Sequence, residues 1–285
     1  MSDQTRKVQA YYKSTNFDYE HFWSGKRAQA LHFGYYDSPS TPHEASLLQM
    51  NQKLAEFAAI QPADSVLDAG CGYGGSSLWL AEHLGCQATG VTLVGYQVQK
   101  ARKLAAASPA ASKLRFIEAD YAHSGLPDAS FDVVWGVESI VHCDDKALFV
   151  REAFRLLKPG GRLLISEYLL RQDPPLSAEE QARMKPFLDG WMMPDLLTPG
   201  QYSEYLTAAG FQDSVFHDIS DNVEPSLKKC HHNAAKVLPF VGVLHKLRLI
   251  DTIRRDYTLA NCRLYDTFRE GLWRYQVVVG TKPLA

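Results

Sequence analysis

Cysteine is scarce in this chain: there are five, Cys71, Cys86, Cys143, Cys230 and Cys262, and no C-x-x-C pair. An odd number at such spacings argues against a disulfide framework or a zinc knuckle and fits a reducing cytoplasm. No apolar run is long enough to span a bilayer, and the first residues, with Asp3, Gln4, Arg6 and Lys7, lack the apolar stretch of a secretory leader. Charge of one sign is missing too. The 30 Lys and Arg against 32 Asp and Glu leave a net −2, so no whole-molecule field points to nucleic acid or to a membrane surface. No internal repeat or low-complexity tract appears. What remains, 285 residues of which 46% are hydrophobic and 22% charged, suits one large globular domain or a core with an added cap.

The most informative stretch is Val66 to Ser77. Val66 and Leu67 end a short apolar run that reads as a buried strand; Gly70, Gly72, Gly74 and Gly75 make a turn; helical spacing begins at Ser76. Strand, glycine turn and helix form a ligand-binding unit, because glycine lets the backbone approach a ligand and the first helical N–H groups attract a carboxylate or phosphate. Gly70, Gly72 and Gly75 satisfy the dinucleotide spacing G-x-G-x-x-G, which expects an acidic residue about 20 positions on to hold a ribose. The second strand, Gln87 to Thr92, ends without one.

Asp68 instead completes D-x-G-x-G, and here the chain resembles motif I of the class I S-adenosylmethionine methyltransferases. The resemblance implies that the glycine loop, with Asp68, Gly70, Cys71 and Gly72, faces the methionine part of the cofactor. Past the second strand, Thr92-Leu93-Val94-Gly95-Tyr96-Gln97 departs from the acidic residue common in that family. It resembles the T-L-x-x-x-Q variant of the sterol, tocopherol and cyclopropane-type small-molecule enzymes, implying contacts from Thr92, Leu93 and Gln97. The N-terminal pattern Tyr12, Tyr19-Glu20, Trp23 and His32-Phe33-Gly34-Tyr35-Tyr36 is similar to the opening segment of the same group, which closes over the cofactor and nominates Tyr12, Tyr19 and His32. A third strand, Leu114 to Ala119, ends at Asp120-Tyr121, where the family sets an acidic side chain against the adenine amine. An Asp in that place is also a common helix cap.

The fourth strand, Val133 to Val137, runs into Glu138-Ser139-Ile140-Val141-His142. Residues just past the carboxyl ends of strands line the crevice of an open α/β sheet, so Glu138 and His142 are the candidates for chemistry, with Glu138 also facing the cofactor. E-S-x-x-H-x-x-D resembles the same segment in tocopherol and sterol C-methyltransferases. Amphipathic spacing predicts helices over residues 43–60 and 144–157, and Lys158-Pro159-Gly160-Gly161 predicts a turn into a fifth strand, Arg162 to Leu170. A short helix, Pro199 to Ala209, precedes a sixth strand, Val215 to Ile219, and Trp273 to Thr281 reads as a seventh.

The resemblance therefore implies a Rossmann-like α/β fold with a seven-stranded, mostly parallel sheet whose last strand is antiparallel. The expected division is an N-terminal segment and helix over residues 1–60, a cofactor-binding core over 61–221, a helical lid over 222–270 and a return to the core over 271–285. Between Ser226 and Tyr275 there are ten Lys and Arg against four Asp and Glu. Such a lid is either an ordinary solvated basic face or a cradle for an anionic group such as a prenyl diphosphate, which would bring Mg2+ bound through the diphosphate alone. Cys230-His231-His232 is rejected as a metal site, since adjacent histidines on a helix face different ways.

The function this implies is an S-adenosylmethionine-dependent small-molecule methyltransferase. Its expected reaction is C-methylation of an isoprenoid or terpene-type acceptor in secondary metabolism, with Glu138 or His142 removing the proton of the resulting cation. N- or O-methylation of a natural product or small amine stays open, as does a non-catalytic protein that binds S-adenosylmethionine or NAD. A small molecule is the expected partner, with no nucleic acid and no membrane span; the sequence leaves a homo-oligomer open.

Overall fold

A computed structural model describes residues 2–284. Seven strands, β1 (Ser65–Ala69), β2 (Gln87–Thr92), β3 (Leu114–Glu118), β4 (Phe131–Val137), β5 (Leu157–Leu170), β6 (Gln212–Asp218) and β7 (Trp273–Thr281), form one sheet in the order β3-β2-β1-β4-β5-β7-β6. All the ladders from β3 to β5 are parallel, while β7 runs antiparallel to both its neighbours, β5 and β6. The order reverses direction between β1 and β4. In an open α/β sheet that reversal opens a crevice at the carboxyl ends of the strands.

Alternation along the central strands builds a core on each face. Val133, Trp135 and Leu164 pack on one side with Trp79, Phe187, Trp273 and Tyr275. Val134, Leu163 and Ile165 pack on the other with Phe149, Tyr202 and Leu206. The helices expected over residues 43–60 and 144–157 appear as α2 (His43–Phe57) and α5 (Lys146–Leu156), between which lie α3 (Gly75–Trp79), widened by a π-turn over Leu80–Leu84, and α4 (Gly95–Ala106).

Local sequence also misleads in places. The Lys158-Pro159-Gly160-Gly161 segment does not separate helix from strand. Leu157 already pairs with Phe131 and Arg162 with Val133, so the turn residues bulge out of a continuous β5. Gly160 takes φ +74° there. Strand β6 likewise starts at Gln212, before its expected Val215, because Asp213 at φ +52° absorbs an irregularity in the β6–β7 register.

Three helices were not legible. The N-terminal segment is α1 (Asp3–Asp18), capped by the Ser2 hydroxyl on the Thr5 N–H and continued by a π-turn over Tyr19–Trp23. Helix α4 follows β2, and α6 (Ala178–Gly190) opens with a capping box between Ser177 and Glu180. After α7 (Pro199–Ala209), the stretch expected as a lid is an antiparallel hairpin of α8 (Ser220–Lys246) and α9 (Thr252–Arg269), with α9 packed on α6 and α1.

Candidate functional site

The carboxyl ends of β1, β2, β3 and β4 meet in a cavity roofed by α1 and by residues 29–32. The loop after β1 is tied down by the Gly70 and Cys71 N–H groups, both donating to the Val91 carbonyl at 2.9 Å. Gly72 sits at φ +53°, and a Cβ there would come within 2.7 Å of Leu31 Cδ1. The turn therefore needs glycine for two reasons, its backbone sign and the close roof above it.

Asp68, buried at the end of β1, accepts a hydrogen bond of 2.6 Å from the Ser77 hydroxyl. Burial pushes its carboxyl up to about 6, which that hydrogen bond partly offsets. At the end of β2 the Thr92 hydroxyl donates to Gln97 Oε1 at 2.8 Å. The amide is thereby oriented, and its buried Nε2 has no protein partner although the residue lines the cavity. A donor held in place and unsatisfied fits a ligand acceptor, as the hydroxyls or heteroatoms of an adenosyl group would supply. Asp120 caps the following turn through the Ala122 N–H at 2.9 Å, so the capping role is real, and its side chain still reaches the cavity wall. The Tyr121 hydroxyl donates to the Ser139 carbonyl and so fixes the loop after β4.

That loop carries the chemistry. Glu138 adopts φ +48°, an uncommon conformation for a residue with a side chain, as β4 ends and its N–H reaches the Ser166 carbonyl. Its carboxylate takes three donors: the Phe33 N–H at 2.7 Å and the Tyr275 hydroxyl at 2.8 Å on Oε1, and the Tyr168 hydroxyl at 2.7 Å on Oε2. Two carboxylate oxygens offer about four acceptor positions, so one is left over on a residue that lines the cavity. Burial raises this carboxyl to about 7, against the three hydrogen bonds, which favour the charged form.

His142 comes from a single 3-10 turn, Ile140–His142. Its Nδ1 faces the Met192 carbonyl at 3.4 Å and its Nε2 the Tyr12 hydroxyl at 3.2 Å. Since a carbonyl only accepts, Nδ1 carries the proton and Nε2 presents a lone pair. Burial lowers the imidazole to about 4, so it is neutral at pH 7.

Helix α1 closes the cavity with bonds spread along its length. Gln4 Nε2 donates to the carbonyls of His142 and Met192, Gln9 Nε2 to that of Leu93, and the Tyr96 hydroxyl to that of Tyr12.

Of the residues singled out from sequence, Tyr12, His32, Asp68, Gly70, Cys71, Gly72, Thr92, Leu93, Gln97, Asp120, Tyr121, Glu138 and His142 all line this cavity. Tyr19 does not. It lies in the adjoining aromatic cluster, 6.1 Å from the Tyr12 ring, where its hydroxyl meets that of Tyr11 at 3.0 Å and its ring lies beside Tyr257. Sequence reasoning missed Gln4, Ser139, Tyr168 and Tyr275. Only the alternation of β5 and β7 hinted that the two tyrosines face inward together.

The basic residues of the α8–α9 hairpin face away from the cavity, and several of them are paired. Arg254 pairs with Asp18, Arg263 with Asp266, and Lys228 and Arg269 with Glu224; no Lys or Arg is among the described residues that line the cavity.

Comparison with known proteins agrees with the geometry. Residues 67–165 match the family model of a methyltransferase domain. A probable chloroplastic tocopherol O-methyltransferase of Oryza sativa subsp. japonica is 30% identical over 276 residues, covering 92% of this chain and 75% of the relative. An S-adenosyl-L-methionine-dependent Diels-Alderase of Talaromyces variabilis is 31% identical over 98% of this chain and 95% of its own. Among solved structures, the mycolic acid cyclopropane synthase CmaA1, complexed with SAH and CTAB, superposes with a TM-score of 0.83 over 99% of each chain at 18% identity, a likeness of fold. With the D-x-G-x-G loop, the unsatisfied Gln97 amide and the reversed strand order all at one cavity, the chain belongs to the class I S-adenosylmethionine-dependent methyltransferases.

Proposed function

We propose that this enzyme methylates a carbon of an uncharged, isoprenoid-related acceptor, with Glu138 as the base that completes the reaction. The observation that supports this reading is the Glu138 carboxylate, held by Tyr168, Tyr275 and the Phe33 N–H at the cavity wall with its carboxyl raised to about 7. Bound S-adenosylmethionine supplies an electrophilic methyl group on its sulfonium. The residues of the glycine loop, Thr92, Gln97 and Asp120 bind and orient, and positioning of this kind can supply roughly 7–11 kcal/mol of a barrier. When a π-bond of the acceptor takes the methyl, a C–C bond forms, the S–C bond breaks and a cation is left on the acceptor. Glu138 then removes the proton from the adjoining carbon, and the C–H electrons restore the double bond.

The tocopherol relative favours an isoprenoid-bearing acceptor. A prenyl diphosphate, with Mg2+ bound through the diphosphate alone, is the less favoured acceptor, because the described cavity wall offers no Lys or Arg.

A second reading, O-methylation, is favoured by the name of the tocopherol O-methyltransferase relative and by one feature of the site. His142 Nε2 already accepts from the Tyr12 hydroxyl, so an acceptor hydroxyl in place of Tyr12 would lose its proton there. The Talaromyces relative adds a third outcome, use of the cofactor without methyl transfer.

The test incubates the protein with methyl-labelled S-adenosylmethionine and a panel of prenylated quinols, phenols and terpene alkenes. The reading expects label on carbon, one S-adenosylhomocysteine per product, and loss of turnover in Glu138→Gln by about 10²–10⁴-fold with cofactor affinity retained. Label on oxygen with activity lost in His142→Ala instead moves the reaction to the second reading. Cofactor-dependent product without S-adenosylhomocysteine overturns both.

A further inference from the structure

The second half of α8 turns an apolar stripe to solvent. Phe240, Val243 and Leu247 are spaced i, i+3 and i+7 on one helical face and are 62%, 56% and 64% exposed, and Leu249 in the turn beyond is 66% exposed. An amphipathic helix ordinarily buries such a stripe; here Val241, off the stripe, is the residue that packs inward. Cations fringe it. Lys236 extends the same face one turn earlier, and Lys246 and Arg248 flank Leu247, all exposed. No acidic residue occurs between Glu224 and Asp251, and among the described residues these three cations form no ion pair. At the start of α9, Arg254 lies 5.5 Å over the ring of the half-exposed Phe17.

A contiguous apolar surface of this kind marks an interaction site, and the charges select its partner. In a two-fold pairing of copies the same patch meets itself, which brings the Lys236, Lys246 and Arg248 patch against its like-charged copy, with no acid in residues 225–250 to pair them. An anionic lipid surface offers what both parts of the patch require: phosphates for the cations and an acyl boundary for Phe240, Leu247 and Leu249. We propose that the α8–α9 tip is a docking surface for an anionic bilayer, on which the protein lies without crossing it. No helix among the described residues is long and apolar enough to cross. The position has a use: α9 leads from the tip to Ile253 and Tyr257, which pack with Tyr11, Tyr12 and Tyr19 beside the cavity. Docking would bring a lipid-dissolved acceptor to that side. The delivery role rests on the proposed acceptor class; docking itself does not, and it is read without turnover.

The experiment sediments the whole protein with vesicles of phosphatidylcholine alone and of two parts phosphatidylcholine to one part phosphatidylglycerol. About tenfold more protein on the anionic vesicles at low salt, declining as salt rises, supports the proposal. So does its loss in Lys236→Glu/Lys246→Glu/Arg248→Glu and, separately, in Phe240→Ser/Leu247→Ser, each with unchanged circular dichroism and S-adenosylmethionine affinity. Equal sedimentation with both vesicle types, or with neither, overturns it. A dimer in analytical ultracentrifugation that Phe240→Ser/Leu247→Ser dissolves overturns it in favour of a contact between copies.

Discussion

Tyr168 and Tyr275 stand directly opposite each other across the β5–β7 ladder, their rings perpendicular at 5.6 Å, and both hydroxyls end on the one carboxylate of Glu138. The Tyr275 oxygen in turn accepts from the Ser166 hydroxyl at 3.2 Å. Two strands distant in sequence thus bring donors to a residue just past the end of a third, β4, and with the Phe33 N–H these donors offset part of the burial that raises its carboxyl.

Removing either donor disfavours the carboxylate and raises its proton affinity further. A hydrogen bond to a charged group is worth about 1.5–3 kcal/mol, or roughly one to two pKa units. With Glu138 as base, the acid limb of kcat/KM lies near pH 7. Tyr168→Phe and Tyr275→Phe should each move it upward by about one unit, so that activity falls at pH 7 and recovers as pH rises. A limb that stays in place in both variants removes Glu138 from the role.

Why one half of this arrangement was readable and the other not follows from the range of the signals. Glu138 and Asp68 each follow a short apolar run ended by a turn, so sequence alone sets them at strand ends. The partners Tyr168 and Tyr275 depend on the register of an antiparallel ladder between strands more than a hundred residues apart, and no local pattern encodes register across that distance. Tyr12 and Tyr19 show the same limit on a smaller scale. Seven residues apart, they share a face of α1 and the π-turn that continues it, and their rings lie 6.1 Å apart, yet only Tyr12 lines the cavity, because the Tyr19 hydroxyl turns to Tyr11. The Lys158-Pro159-Gly160-Gly161 segment has strong turn chemistry, and pairing on both sides of it made the turn a bulge.

Gln97 offers a cofactor test free of the acceptor. Its amide carries an unsatisfied buried donor aimed by Thr92. Gln97→Ala should weaken S-adenosylmethionine binding about 3–10-fold, the worth of one neutral hydrogen bond, and Thr92→Val should do so to a smaller degree by freeing the amide. Calorimetric titration reads both. NAD should give no heat, because β2 ends without the carboxylate that a dinucleotide ribose requires; binding of NAD in preference would turn the site toward hydride chemistry.

At Gly72 two penalties can be separated. Gly72→Ala forces a Cβ into Leu31 and strains a backbone at φ +53°, together on the order of 1–3 kcal/mol or more. Adding Leu31→Ala removes the clash and leaves the strain. The double variant should therefore regain part of the lost thermal stability and cofactor affinity of Gly72→Ala. No recovery at all would place the whole effect in the backbone.

Glu167 supplies a test of burial away from the cavity. Its side chain is 1% exposed between Tyr202, whose hydroxyl donates to Oε1, and the charges of Lys146 and Asp195, and its Oε2 has no hydrogen-bond partner. Burial pushes the carboxyl from 4.5 to about 7. The native state then holds a proton that the unfolded chain releases, so this group's contribution to stability declines as pH rises between those values. At pH 5 Glu167 is neutral in the fold and resembles Gln; at pH 8 it is an ionised buried group. Relative to the unsubstituted protein, Glu167→Gln should gain on the order of 3 kcal/mol between pH 5 and pH 8 in urea unfolding. Glu138 and His142 keep their own pH dependence in both proteins and cancel in the difference. Parallel stability profiles across that range would mean that Glu167 is charged throughout, held so by Lys146.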